Sequence, residues 1–134
     1  MVLPVVIVDD NEAFRFLMRA LLRQELGVGC LGLSSLAEVK ASAEVVLSSR
    51  LVLLDINLGL GKPDGVAVYD WLIGQGYPGK ILFLTGHAKG SRFLEKAERT
   101  GVPVMEKPMA PEDIILTLRN TLSTPSLPLK QGGL

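Results

Sequence analysis

Short, unbroken apolar runs alternate along this chain with stretches whose apolar residues recur at helical spacing. Val5-Val6-Ile7-Val8 is apolar without a break and stops at Asp9-Asp10. Such a run predicts a strand buried on both faces. Asn11 is placed to cap a helix, and Glu12 suits its first turn. From Ala13 to Leu26, Phe14, Leu17, Met18, Leu21 and Leu22 form a helical stripe. Arg15, Arg19 and Arg23 form a second row, expected on the solvent side. Phe16 lies between those arginines, as either a scattered surface hydrophobe or a docking contact. Gly27 and Gly29 end the helix.

The pattern then repeats. Cys30–Leu33 is a weaker strand candidate, and Ser35 is a cap for a helix over Leu36–Leu47. Leu51-Val52-Leu53-Leu54 is a strong strand ending at Asp55. After a loop rich in glycine, Gly65–Gln75 reads as a helix with Val66, Tyr69 and Leu72–Ile73 on one side. Trp71 and Tyr69 read as packing residues. Ile81–Leu84 is a strand ending at Thr85-Gly86-His87. Ser91–Thr100 is a short polar helix, and Val102–Met105 a last strand leading into Glu106-Lys107-Pro108. Pro111 opens a final helix with Ile114, Ile115, Leu118 and Leu122 on its apolar face.

Strand and helix thus alternate at spacings that βαβ crossovers require. Right-handed crossovers give a doubly wound, five-stranded parallel sheet with helices on both faces, a three-layer α/β/α fold. Thr124–Leu134 has no periodic pattern and reads as a tail.

Composition narrows the function classes. A chain of 134 residues suits one domain, and 48% hydrophobic residues exclude a disordered one. Fourteen basic residues balance fourteen acidic ones, so no basic nucleic-acid footprint appears in the net charge. Cys30 is the single cysteine and reads as a small buried hydrophobe in a reducing compartment. No apolar run has the length of a membrane helix, so no membrane association and a cytoplasmic location are expected.

In open α/β sheets, ligands sit beyond the carboxyl ends of the strands. There the sequence places Asp9 and Asp10, Asp55, Thr85 and Lys107. Clustered carboxylates repel one another, and shift their pKa values or bind a cation. Carboxylate oxygens suit a hard cation, and Mg²⁺ is typically held by carboxylates together with phosphate oxygens. A lysine pairs with a carboxylate or a phosphoryl oxygen, and a threonine hydroxyl can donate to the latter. An aspartate between metal and lysine is placed to attack phosphorus.

Val8-Asp9-Asp10, Leu53-Leu54-Asp55, Leu84-Thr85-Gly86 and Glu106-Lys107-Pro108 occur in order, at the ends of successive strands. Together they resemble the receiver domains of bacterial two-component response regulators. The resemblance covers roughly residues 4–122; it implies a receiver domain over 1–122, leaving 123–134 as a flexible tail or linker remnant. It implies the flavodoxin-like strand order 2-1-3-4-5. Asp55 would be the phosphoacceptor for a histidine kinase or histidine phosphotransfer protein. Asp10 would ligate Mg²⁺ directly, Asp9 through water, and Asn57 through its backbone carbonyl. Thr85 and Lys107 would contact the phosphoryl group, and Pro108 would follow a cis peptide bond. A downstream output domain or protein is implied, as is a homodimer through the fourth and fifth helices. No true enzyme activity is implied beyond slow self-phosphorylation and hydrolysis.

The chain departs from the family where an aromatic residue usually stands three positions before the lysine. Here that residue is Val104, so coupling to the output face lacks its usual ring, which leaves a docking module without phosphorylation as an alternative. His87 occupies a position that tunes dephosphorylation in the family. A haloacid dehalogenase-type phosphatase would need an acid two residues after the nucleophile, where this chain has Asn57. A flavin-binding flavodoxin would need amides, not Asp9-Asp10, to receive phosphate.

Overall fold

In the computed structural model, which describes residues 4–86, 92–107 and 109–123, five parallel strands form one sheet. They are β1 (Val5–Val8), β2 (Cys30–Leu33), β3 (Leu51–Asp55), β4 (Lys80–Thr85) and β5 (Val104–Glu106). The order is β2-β1-β3-β4-β5, as the resemblance implies. All four residues of β1 and all five of β3 are buried, which is why both read as continuous apolar runs.

Within those uniform runs the pleat still sorts side chains. Val6, Val8, Val52, Leu54 and Phe83 face one layer, with Val39, Val46, Val68 and Leu72. Val5, Ile7, Leu51, Leu53, Leu82 and Leu84 face the other, with Met18, Leu22, Ile114, Ile115 and Leu118. The period-two alternation thus builds two cores from one sheet. Continued past the strand ends, it assigns Asp9, Asp55 and Lys107 to the second layer and Thr85 and Val104 to the first.

The helices are α1 (Glu12–Leu21), α2 (Leu36–Ala41), α3 (Ala43–Ser48), α4 (Gly65–Gly74), α5 (Arg92–Glu98) and α6 (Pro111–Ser123). Asn11 caps α1 by accepting from the Phe14 N–H at 3.0 Å, and Ser35 caps α2 by accepting from Glu38 at 3.2 Å. α1 runs on into a π-helical turn over Leu22–Leu26, closed by Gly27 at φ +66°. The positive φ is why glycine stands there.

Several local expectations change. The helix expected over Leu36–Leu47 is two helices, because Ser42 leaves helical geometry at φ −110°, ψ 26°. Serine offers little resistance to such a break. Val39 and Val46 stay buried on either side of it. In α4, Ile73 is 52% exposed rather than on the packed side. Val66 and Leu72 are buried as expected, joined by Gly65 and Val68, with Gly65 sitting directly over the Asp55 carbonyl. The last strand is Val104–Glu106, later than expected, and pairs Thr85 with Glu106. Trp71 and Tyr69 do pack on the core, and the Tyr69 ring lies 5.9 Å from that of Phe83.

α6 is tied down at its carboxyl end from beneath the sheet. Arg50 donates to the Leu122 carbonyl and Lys80 to the Thr121 carbonyl, each at 2.7 Å. These cations satisfy carbonyls that the helix cannot, in a last turn without basic residues of its own. Among the described residues no helix is long and apolar enough to cross a membrane. His87, Pro108 and the stretch from Thr124 to Leu134 lie outside the described residues, as does the expected helix start at Ser91.

Candidate functional site

β1 and β3 pair in register, Val8 opposite Leu54, so the next step sets Asp9 beside Asp55 at the carboxyl edge. Carboxylate oxygens of Asp9, Asp10 and Asp55 all lie within 4.8 Å of one another. Asp9 and Asp55 are buried, whereas Asp10, already in the turn before α1, is exposed. The five residues singled out in the sequence do converge on this edge. Thr85 ends β4, fully buried, and its carbonyl accepts the Lys107 N–H. That bond places Lys107 just beyond β5, where its side chain turns back over the acids.

Lys107 Nζ stands 3.1 Å from Asp9 Oδ2 and 3.7 Å from Asp55 Oδ2. It also lies 4.9 Å from the centre of the Phe14 ring. The other Asp9 oxygen, Oδ1, accepts the Asn11 N–H at 2.9 Å. Both carboxylate oxygens of Asp9 are therefore engaged by protein groups. Asp55 is less well compensated: burial pushes its carboxyl up to about 7, and the neighbouring Asp9 pushes the same way. Lys107 opposes this, Asp10 adds to it, and the Asn57 backbone N–H offsets part of it. An aspartate so placed keeps its proton up to near neutrality, and added positive charge would favour its ionised form.

Residues outside the expected set hold this edge together. Arg15 was expected in a solvent row with Arg19 and Arg23. Instead its Nη1 donates to the Asp9 carbonyl at 2.7 Å, and its stem crosses Gly32 of β2. The β1–α1 turn exposes a carbonyl within reach of that position, and a sequence row cannot reveal this. Asp64 caps α4 through Oδ1, accepting from the Ala67 N–H at 2.9 Å. Its Oδ2 pairs with Lys96 of α5 at 2.8 Å. Gly65 donates to the Ile56 carbonyl at 2.6 Å. A Cβ there would overlap the Asp55 carbonyl and Ile56 Cα, so the loop after Asp55 closes only over glycine. Asp64-Gly65 ahead of an apolar helix was the legible signal for that closure.

The loop between Asp55 and Asp64 rises over the site on two left-handed glycines, Gly59 at φ +122° and Gly61 at φ +75°. Asn57 is exposed, and its side-chain Oδ1 accepts the Gly59 N–H at 3.1 Å. Phe16 is 75% exposed on α1. Cys30 is buried, its thiol pushed up to about 12 by that burial, which leaves it inert.

No curated protein matches the chain. Among solved structures, the chain is similar to the receiver domain of NtrX from Brucella abortus, at 27% identity and a TM-score of 0.75. That alignment covers 90% of this chain and 99% of the other. The receiver domain protein (CheY-like) of Methanospirillum hungatei JF-1 shares the fold at 21% identity and a TM-score of 0.74, with 91% and 94% covered. A DNA-binding response regulator of the LuxR family from Staphylococcus aureus shares it at 20% identity and a TM-score of 0.75, with 91% and 100% covered. The sequence model for the response regulator receiver domain matches residues 5–119. By that match, and by the acids and lysine its strands bring together, the chain belongs to the response regulator receiver domains.

Proposed function

We propose that this receiver domain is a phosphoacceptor switch in which Asp55 takes a phosphoryl group from a histidine kinase or histidine phosphotransfer protein. The observation that carries this reading is the convergence of the Asp9, Asp10 and Asp55 carboxylates within 4.8 Å beneath Lys107. In the transfer, an Asp55 carboxylate oxygen forms a bond to phosphorus as the phosphorus–nitrogen bond of the donor histidine breaks. The bonding pair leaves with the imidazole. Lys107 would pair with a phosphoryl oxygen, and the Thr85 hydroxyl would donate to another.

The donor set fits Mg²⁺, since hard carboxylate oxygens are what that ion selects and one of the three acids stays open to solvent. Asp10 and Asp55 would hold it, with Asp9 through water and Asn57 through its carbonyl. Bound there, it would neutralise charge on the acids and on the phosphoryl oxygens. The same reading takes residues 1–122 as the receiver unit and 123–134 as a tail. It gives the protein a cytoplasmic location, an output partner downstream, and self-association through the last two helices, α5 and α6. On α6, Leu116 is 50% exposed.

Amide NMR with beryllofluoride, with and without Mg²⁺, tests the reading. The expected result is Mg²⁺-dependent displacement of the Asp55, Thr85 and Lys107 resonances, abolished in Asp55→Asn. An intact fold with no response in the wild-type protein would overturn it.

A further inference from the structure

The ring nearest the lysine is not where the family's usual aromatic would be. Val104 alternates into the layer opposite Lys107, the same layer as Tyr69, Trp71 and Ile81. Phe14 stands in the lysine's own layer. Its backbone is fixed by the Asn11 cap, and its ring packs partly buried against the core that includes Ile114. The Lys107 ammonium lies 4.9 Å from that ring's centre while also reaching Asp9 and Asp55. Asn11, Phe14, Gly86, Lys107, Met109 and Ile114 line an open cleft of about 410 Å³.

We propose that Phe14 is the positioning residue for Lys107: its ring face holds the ammonium over the gap between Asp9 and Asp55, where a phosphoryl oxygen would be received. Three features support this. A long lysine side chain has many rotamers, and two carboxylates on one side do not choose among them. The open cleft leaves the chain room to swing out. The ring face holds the ammonium against that by an attractive quadrupole, and adds no further negative charge to compete with an incoming anion. The inference rests on the phosphoacceptor reading and adds to it a residue that sequence patterning assigns only to the core stripe.

The test uses the full chain as wild type, Phe14→Leu and Phe14→Tyr. Lysine ¹H–¹³C spectra of the metal-free protein are recorded, with Lys107 assigned by its loss in Lys107→Arg. Wild type should show Lys107 Hε protons displaced upfield by the ring current, and Phe14→Leu should return them to the free lysine position. Phe14→Leu should weaken beryllofluoride binding in the presence of Mg²⁺ by about two- to fivefold, the range of a partly exposed cation–π contact. Phe14→Tyr should keep both properties. Undisplaced Lys107 protons in the wild-type protein overturn the proposal without recourse to any variant. So does Phe14→Leu binding beryllofluoride as tightly as wild type. Wild-type protein with displaced Lys107 protons that binds no beryllofluoride upholds the ring's hold on the lysine and sinks the phosphoacceptor reading instead.

Discussion

Lys107 stands closer to Asp9 than to Asp55, at 3.1 Å against 3.7 Å. The cation therefore compensates the more deeply buried acid and leaves Asp55 the poorer share. The neighbour with both oxygens engaged is Asp9, and the group pushed up to about 7 is Asp55. Charge is thus distributed unevenly between two adjacent carboxylates, and Asp55 carries the deficit.

That deficit sets a pH dependence. The folded-state value of Asp55, about 7, lies above its ordinary value of 3.8. Protonated Asp55 is thus favoured in the fold, a contribution fully present below pH 3.8 and lost as pH rises through about 7. A shift of this size corresponds to at most ~4 kcal/mol. Metal-free Asp55→Asn is expected to be more stable than wild type at pH 8, by roughly 1–4 kcal/mol. The gap should close towards pH 4. Urea denaturation across that range checks it, and a wild type as stable as the variant at pH 8 would contradict the charge deficit.

Mg²⁺ should act in the opposite sense. Binding that requires ionised Asp55 strengthens as pH rises and releases a proton near neutrality. At a hundredfold excess over its dissociation constant the ion should stabilise the fold by about 2.7 kcal/mol. Calorimetry in buffers of different ionisation heat would reveal the proton. Binding with no proton release between pH 6 and 8 would argue against Asp55 as a ligand.

Lys107→Ala leaves Asp9 buried with only the Asn11 N–H on its carboxylate. The expected cost is about 1–3 kcal/mol without metal, below that of a fully buried pair because Lys107 is 30% exposed. Mg²⁺ should recover most of it, since the acids then have another cation. The variant should still bind Mg²⁺ and respond poorly to beryllofluoride. Thermal melts with and without Mg²⁺ decide between this and simple misfolding.

Gly65→Ala tests the closure of the loop over Asp55. The added methyl meets backbone, not a flexible side chain, so the loop must shift. A loss of about 1–3 kcal/mol is expected, the usual range for overpacking, together with weaker Mg²⁺ binding. Unchanged urea midpoint and metal affinity would show that the loop is free to move.

Asp64→Ala removes a helix cap and the partner of Lys96, whereas Lys96→Ala removes the ion pair alone. The first should cost about 1–2 kcal/mol and the second under about 1 kcal/mol, because Lys96 is 43% exposed. Equal losses in denaturant titrations would put the weight on the ion pair instead.

Most of the sheet was legible because β1, β3 and β4 are buried on both faces and need unbroken apolar runs. The site was legible for a related reason: polar residues that end such runs must lie at one edge. What stayed hidden depends on geometry beyond the pattern. Arg15 looks like a solvent residue until the β1–α1 turn presents a carbonyl to it. Ile73 and Leu72 are adjacent and equally apolar, and only the approach of Gly65 to Asp55 decides which one is covered. Phe14 fits the core stripe, and nothing in its spacing tells that its ring also meets the lysine.

The site is also anchored unequally. Its acids stand at the ends of β1 and β3, strands held on both sides at the centre of the sheet. Its cation hangs from β5, three residues long and, among the described residues, at an edge and paired only with β4. Partial openings begin where few bonds cross, so β5 is expected to open before β1 or β3. Such an opening would take the lysine from the acids while the central strands stay paired. The binding edge thus has two levels of order, a permanent anionic bowl and a detachable cationic arm, and amide exchange at Val104–Lys107 would be faster than at Val5–Val8.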